Sequence, residues 1–225
     1  MSDPATPWIW DDKSKRWRER KGGRYIGPAR LDDLRQGYIE SQKAAARDLV
    51  ARLAGGMTVQ QFELEMRAII KDTYLANYML AKGGRQNMTS ADYGRVGALC
   101  RTQYQYLHDF AGRVASGELS LAQIGARASA YMQSSTQAHE KGKAAGRGLT
   151  LPAYPGDGST VCKYNCRCSW RIEEKETEWL CYWTLSPAEH CETCLSRGAA
   201  WSPYTVSKDI ARSMKDLRRL LRALV

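Results

Sequence analysis

Between residues 31 and 145, apolar positions recur every three or four residues, the period of an amphipathic helix. The first such stretch, 31–53, sets Leu34, Tyr38, Leu49 and Leu53 on one side and stops at Gly55-Gly56. A second opens at Thr58, with Gln61 three residues on as a capping box. It carries Phe62, Met66, Ile69, Ile70, Tyr74 and Tyr78 inward and ends at Gly83-Gly84. A third starts at Thr89 or Ser90 and reaches about Ala115, burying Val96, Leu99, Leu107 and Phe110. Ser120 caps a fourth, which runs to Ala145 through Ile124, Ala128, Tyr131 and Met132. Short connections favour antiparallel neighbours, so the stretch predicts a helical bundle.

On either side the rhythm changes to two. Trp8 and Trp10 share a face, residues 11–15 read as a turn, and Trp17 opens a second extended run. Gly22-Gly23 gives another turn before Arg24-Tyr25-Ile26, which makes a small aromatic hairpin or three-stranded flap. Its rings can pack on a partner or on the chain's own helices; Trp flanked by Arg can also stack on bases. Beyond a glycine-rich boundary, 169–173 and 178–185 are rich in Trp, Tyr and Ile and predict two strands. At the far end Ile210, Met214, Leu217, Leu221 and Leu224 are spaced 4, 3, 4, 3, the seam of an amphipathic helix. That helix needs a groove to fill, on its own bundle or on a partner, with Ser207 or Asp209 able to cap its start.

The cysteines change the picture most. Six of the seven fall in residues 151–204: Cys162, Cys166 and Cys168 in front, Cys181 between, Cys191 and Cys194 behind, with His190 beside the last pair. Zinc takes four ligands at tetrahedral corners, commonly as two close pairs from separate turns. C-x3-C-x-C supplies one turn and H-C-x2-C the other, and a hairpin between them brings both to one end. Cys191 and Cys194 form the surest pair. In front, Cys162 and Cys166 best bracket a turn across Lys163, Tyr164 and Asn165. Cys168 can replace Cys166 if the two share a strand face, and His190 can replace Cys191. Cys181 sits inside the aromatic second strand as a small core residue.

Disulfides, unpaired core thiols and a redox C-x-x-C compete with this. Cys166 and Cys168 are too close in sequence for a relaxed bridge to each other. No signal-peptide pattern is seen, so reducing cytosol is expected, and no βαβ pattern surrounds the C-x-x-C.

PGDGST-x-C-x3-C-R-C-x-W, then E-H-C-x2-C and W-x-P, resembles bacteriophage head morphogenesis proteins related to the minor head protein of Mu-like phages. Asn165 to Trp170 is the most specific piece. The resemblance covers this stretch well and the order of the upstream parts loosely. Related proteins often carry His-x-N-C-R-C, whereas Lys163 stands here, so a front histidine ligand is absent. The resemblance implies a virion protein of the head or neck region, made in the bacterial host cytoplasm. Its implied partners are the portal or major capsid protein.

The fold class expected is therefore α+β, mainly α: a helical bundle with an N-terminal aromatic β-hairpin, a small zinc-stabilised β-unit and a C-terminal amphipathic helix. The segments are 1–30, 31–148, 149–206 and 207–225. Hydrophobic content of 43% and charged content of 26% are ordinary for a globular chain. No apolar run approaches a membrane span. The net charge of +10 is concentrated at the ends. Residues 1–30 hold eight Lys/Arg against four Asp/Glu, and residues 207–225 hold six against two. Such ends attract nucleic acid or acidic protein, so a DNA contact is a second expectation. No G-x-S-x-G, Walker loop or H-E-x-x-H occurs, and His108 and His139 stand alone in sequence. No catalytic constellation and no small-molecule substrate are expected. Only Glu189 and Glu192 lie near the knuckles as an acid or base, and glutamates there usually face solvent.

Overall fold

The computed structural model describes residues 7–187 and 189–209. The chain divides after Gly146 into two compact units. The architecture is α+β and mainly helical, the class that the periodicity predicts.

In the first unit, β1 (Trp8–Asp11) pairs antiparallel with β2 (Arg16–Glu19), placing Trp10 opposite Trp17. A single bridge from Arg18 to Tyr25 is what remains of a third strand. The two indoles meet edge to face at 5.4 Å, and both are used internally. Trp17 Nε1 donates to the Leu80 carbonyl at 2.9 Å. Trp10 covers Gly83, where a Cβ would fall 2.4 Å from the ring and where φ is +95°. Trp10 and Trp17 thus pack onto the chain's own helices, while Tyr25 stays 43% exposed.

The helices are α1 (Pro28–Ala54), α2 (Val59–Lys82), α3 (Ser90–Ala115), α4 (Leu121–Gln133) and α5 (Thr136–Gly146). α2 is central, packed by α1, α3 and α5, while α4 lies on α1. Phe62, Met66, Ile70, Tyr74 and Tyr78 on α2 are fully buried. Phe110 of α3 meets Phe62 edge to face at 6.1 Å. α1 begins earlier than its apolar pattern suggests, because Gly27 caps it and Pro28 at its first position is already set to helical φ. Its buried face is Ile39, Ala46, Leu49 and Val50, whereas Leu34 and Tyr38 are only half-buried.

The expected fourth helix is two helices, a correction with a local cause. At the break, Ser134 and Ser135 turn their hydroxyls back onto the carbonyls of Tyr131 and Met132, at 2.8 and 2.7 Å. The same hydroxyls meet Tyr74 OH at 2.6 Å and Asn77 Nδ2 at 3.1 Å, both on α2. These bonds to a neighbouring helix outweigh continuation of one straight rod. α5 then approaches α2 closely at Gly142, where a Cβ would lie 2.7 Å from the Tyr78 carbonyl oxygen.

His139 is buried in α5 with its Nδ1 3.2 Å from the Glu140 carboxylate, which Lys143 also contacts at 3.0 Å. Burial dominates and pushes the imidazole down to about 4, against the upward pull of Glu140 and with Arg35 adding to the depression. The folded form therefore holds His139 neutral where the unfolded chain is protonated. Stability should fall as pH drops from about 6.5 to about 4, by roughly 1.4 kcal/mol per pH unit, and His139 should contribute no slope above about pH 7. Urea titrations of His139→Gln against the parent should show a flatter profile in that window.

In the second unit, β3 (Ser169–Glu174), β4 (Glu178–Thr184) and β5 (Tyr204–Ser207) form an antiparallel sheet in that order. β5 and the helix α6 (Glu192–Ala200) are additions to the two strands expected from sequence. Trp170 pairs across the sheet with Trp183 and stacks on Trp201 at 5.5 Å. Arg197 of α6 sits 5.1 Å from both Trp183 and Trp201. Cys181 in β4 is fully buried opposite Ile172. Trp170 Nε1 donates to the Ala153 carbonyl at 2.9 Å, which anchors the segment leading into the cysteines.

The amphipathic helix expected over 207–225 lies outside the described residues from position 210 onward. Ser207 itself ends β5, and its Oγ accepts from the Asp209 N–H at 3.2 Å. Among the described residues, no helix is long and apolar enough to cross a membrane.

Candidate metal centre

The front knuckle is a short 3₁₀ turn over Lys163–Asn165, with Lys163 in the left-handed region at φ 48°. Asn165 and Cys166 donate backbone N–H groups to the carbonyls of Cys162 and Lys163, at 3.0 and 3.3 Å. The glycine-flanked Asp157 prepares this turn. Its carboxylate accepts from the N–H groups of Tyr154 and Ser159, at 2.7 and 2.9 Å, so Asp157 is a turn residue. Thr160 Oγ1 lies 3.3 Å from Cys162 Sγ and can donate to it as a thiolate.

The back knuckle is a helix start, not a plain turn. Cys191 is the N-cap of α6, and Cys194 lies three residues on, inside its first turn. Side chains at these two positions face one another, the geometry that also makes a capping box. The spacing C-x2-C therefore aims both sulfurs the same way. Arg197, one turn on, donates to Ser159 Oγ and to the Ser159 carbonyl, both at 3.0 Å. That clamp fixes α6 against the loop of the front knuckle, and nothing in the sequence singles it out.

All the sequence-predicted ligand groups converge. Cys162 Sγ lies 3.6 Å from Cys191 Sγ and 3.8 Å from Cys194 Sγ, and Cys166 Sγ lies 3.6 Å from Cys194 Sγ. A tetrahedral ion with metal–sulfur bonds of about 2.3 Å separates its sulfurs by about 3.8 Å. Cys168 joins as well, within 4.8 Å of both Cys166 and Cys194. His190 Nδ1 is 3.9 Å from Cys168 Sγ. None of the seven cysteines is in a disulfide. The cluster can hold a metal ion.

Electrostatics give the thiols a reason to need one. Burial raises Cys194, and the neighbouring Cys168 together with burial raises Cys166. Cys191 moves the other way, to about 7, because backbone N–H and thiol donors outweigh its burial. Packed sulfurs cannot all ionise together unless a cation shares the space, and a coordinated metal supplies that charge.

The remaining candidates form no grouping with one another. Glu189 and Glu192 are both exposed, Glu189 at the rim of the cysteine cavity and Glu192 in the first turn of α6. His108 is exposed 3.5 Å from Glu63, and His139 is buried beside Glu140. Comparison with protein families, with curated proteins and with solved structures finds no match for this chain.

Proposed function

We propose that this chain is a structural protein of phage head morphogenesis, associated with the portal or inner capsid. In it, zinc held at Cys162, Cys166, Cys191 and Cys194, with Cys168 and His190 alongside, is structural. One observation carries the zinc reading: two knuckles 22 residues or more apart in sequence bring thiols to 3.6–3.8 Å from one another, with an imidazole 3.9 Å from Cys168. Zinc suits thiolate and imidazole donors, and a site closed by protein side chains serves folding rather than turnover. The head-protein reading rests on the resemblance around Asn165 to Trp170, residues that also build this unit. The commitment of Trp10 and Trp17 to α2 disfavours base stacking by the hairpin, so any DNA contact would go through its Arg and Lys side chains and fade steeply with salt.

Co-expression with a phage portal protein and major capsid protein tests this reading. The chain should co-sediment with portal or procapsids and show no nuclease turnover with added zinc or magnesium. A chain that binds neither assembly, or cleaves DNA in a manner lost with Glu189→Gln, contradicts it.

A further inference from the structure

We propose that the cysteine cluster takes two metal ions bridged by the Cys194 thiolate. Cys162, Cys191 and Cys194 would hold one ion; Cys166, Cys168, Cys194 and His190 would hold the other. This rests on the cluster being a metal site, and adds how many ions it takes and through which atoms.

A single tetrahedral ion uses four ligands, yet five thiols and an imidazole line this one cavity. Their arrangement is not a shell around one point. It is two triangles, Cys162/Cys191/Cys194 and Cys166/Cys168/Cys194, each with its sulfurs within 4.8 Å of one another, meeting only at Cys194. The measured edges of 3.6 and 3.8 Å in the first and 3.6 Å in the second approach the edge of a zinc–thiolate tetrahedron. His190 Nδ1 lies 3.9 Å from Cys168 Sγ, outside the 4.8 Å grouping of the three sulfurs, and is the donor that would turn in to that site's fourth corner. Asn165 and Glu189 line the same cavity as the first triangle.

Charge balance permits two ions. Five thiolates carry five negative charges, which two divalent ions reduce to one, and Arg167 lines the same cavity to offset it. Two of the sulfurs so neutralised are nearly fully buried, Cys166 at 1% and Cys194 at 1% exposed. Each proposed ion also joins front and back knuckles. The front gives Cys162 to one and Cys166 and Cys168 to the other; the back gives Cys191 to one, His190 to the other and Cys194 to both.

Zinc in the purified full chain, measured by elemental mass spectrometry against amino-acid analysis, decides the count. Two per chain is expected. One per chain overturns the two-ion proposal while leaving a metal site intact, and none overturns both. Cobalt(II) tests the bridge without any substitution. Two high-spin ions sharing a thiolate couple antiferromagnetically, so the second equivalent should lower the paramagnetic resonance intensity per cobalt. A signal that doubles with the second equivalent contradicts the bridge. Cys168→Ser and His190→Ala should each fall to one ion; two retained ions in both variants would contradict the ligand assignment.

Discussion

Cys194→Ser should leave residues 147–209 unfolded and metal-free while the helical unit stays intact. Cys194 is the sulfur common to both thiol groupings and is nearly fully buried. Its loss removes a ligand from every arrangement the cluster permits. The unit it closes is small, with a three-stranded sheet, one helix and a tryptophan cluster as its core. Cores of that size rarely suffice alone, and structural zinc contributes roughly 10 kcal/mol or more in isolated modules. The readout is specific, because Trp170, Trp183 and Trp201 lie edge-on or stacked within 5.7 Å of one another. Their near-ultraviolet dichroism should collapse, and limited proteolysis should release a stable fragment close to residues 1–146. Chelation of the parent protein should reproduce the same digest. Unchanged tryptophan signals in the variant would mean that the sheet holds without metal.

Asp92→Ala should be the most damaging single change in the helical unit. The carboxylate is fully buried at the start of α3 and collects five donors. Tyr78 OH donates at 2.7 Å, the Thr89 N–H at 2.9 Å, Thr89 Oγ1 at 2.6 Å and Arg95 at 2.8 Å, and Lys82 completes the set. Burial alone would raise this carboxyl, but hydrogen bonds from Lys82, Thr89 and Tyr78 overcome it and hold it well below the usual range. The group therefore stabilises the fold above the ordinary carboxylate pKa of about 3.9, and that contribution is lost as pH falls below it. Truncation strands Lys82, whose side chain is only 12% exposed, and removes the return half of the α3 capping box. Breaking a buried pair in this way costs about 3–5 kcal/mol, which lowers the melting temperature of the helical unit by roughly 10 °C or more. Asp92→Asn keeps the shape but not the charge, and should fall between. A loss under about 1 kcal/mol for Asp92→Ala would show the network to be passive.

How much of this could be read from the residues follows from what each element depends on. α2 and α3 declared themselves because long apolar stripes and caps at Thr58 and Thr89 are local signals. The break at Ser134-Ser135 was hidden, since the hydroxyls that make it find their partners on α2, some 60 residues away. The buried face of α1 is set by α2 and α4 packing, so Ile39 and Ala46 sit deeper than Leu34 and Tyr38 despite the pattern. Thr89 was legible as a helix start, but the burial of Asp92 against Lys82 and Tyr78 was not. Convergence of the cysteines was readable from spacing, because C-x3-C-x-C and C-x2-C each force sulfurs together locally. α6 and β5 were not, being a short helix and a four-residue strand held by tryptophan packing and sheet pairing.

X-ray absorption at the zinc edge of the purified full chain tests the central claim most directly. A first shell dominated by sulfur at about 2.3 Å is the expected result, with at most a minor nitrogen contribution at about 2.0–2.1 Å. A spectrum without zinc, or with zinc surrounded only by oxygen and nitrogen, would contradict a thiolate-held metal as the element that closes this unit.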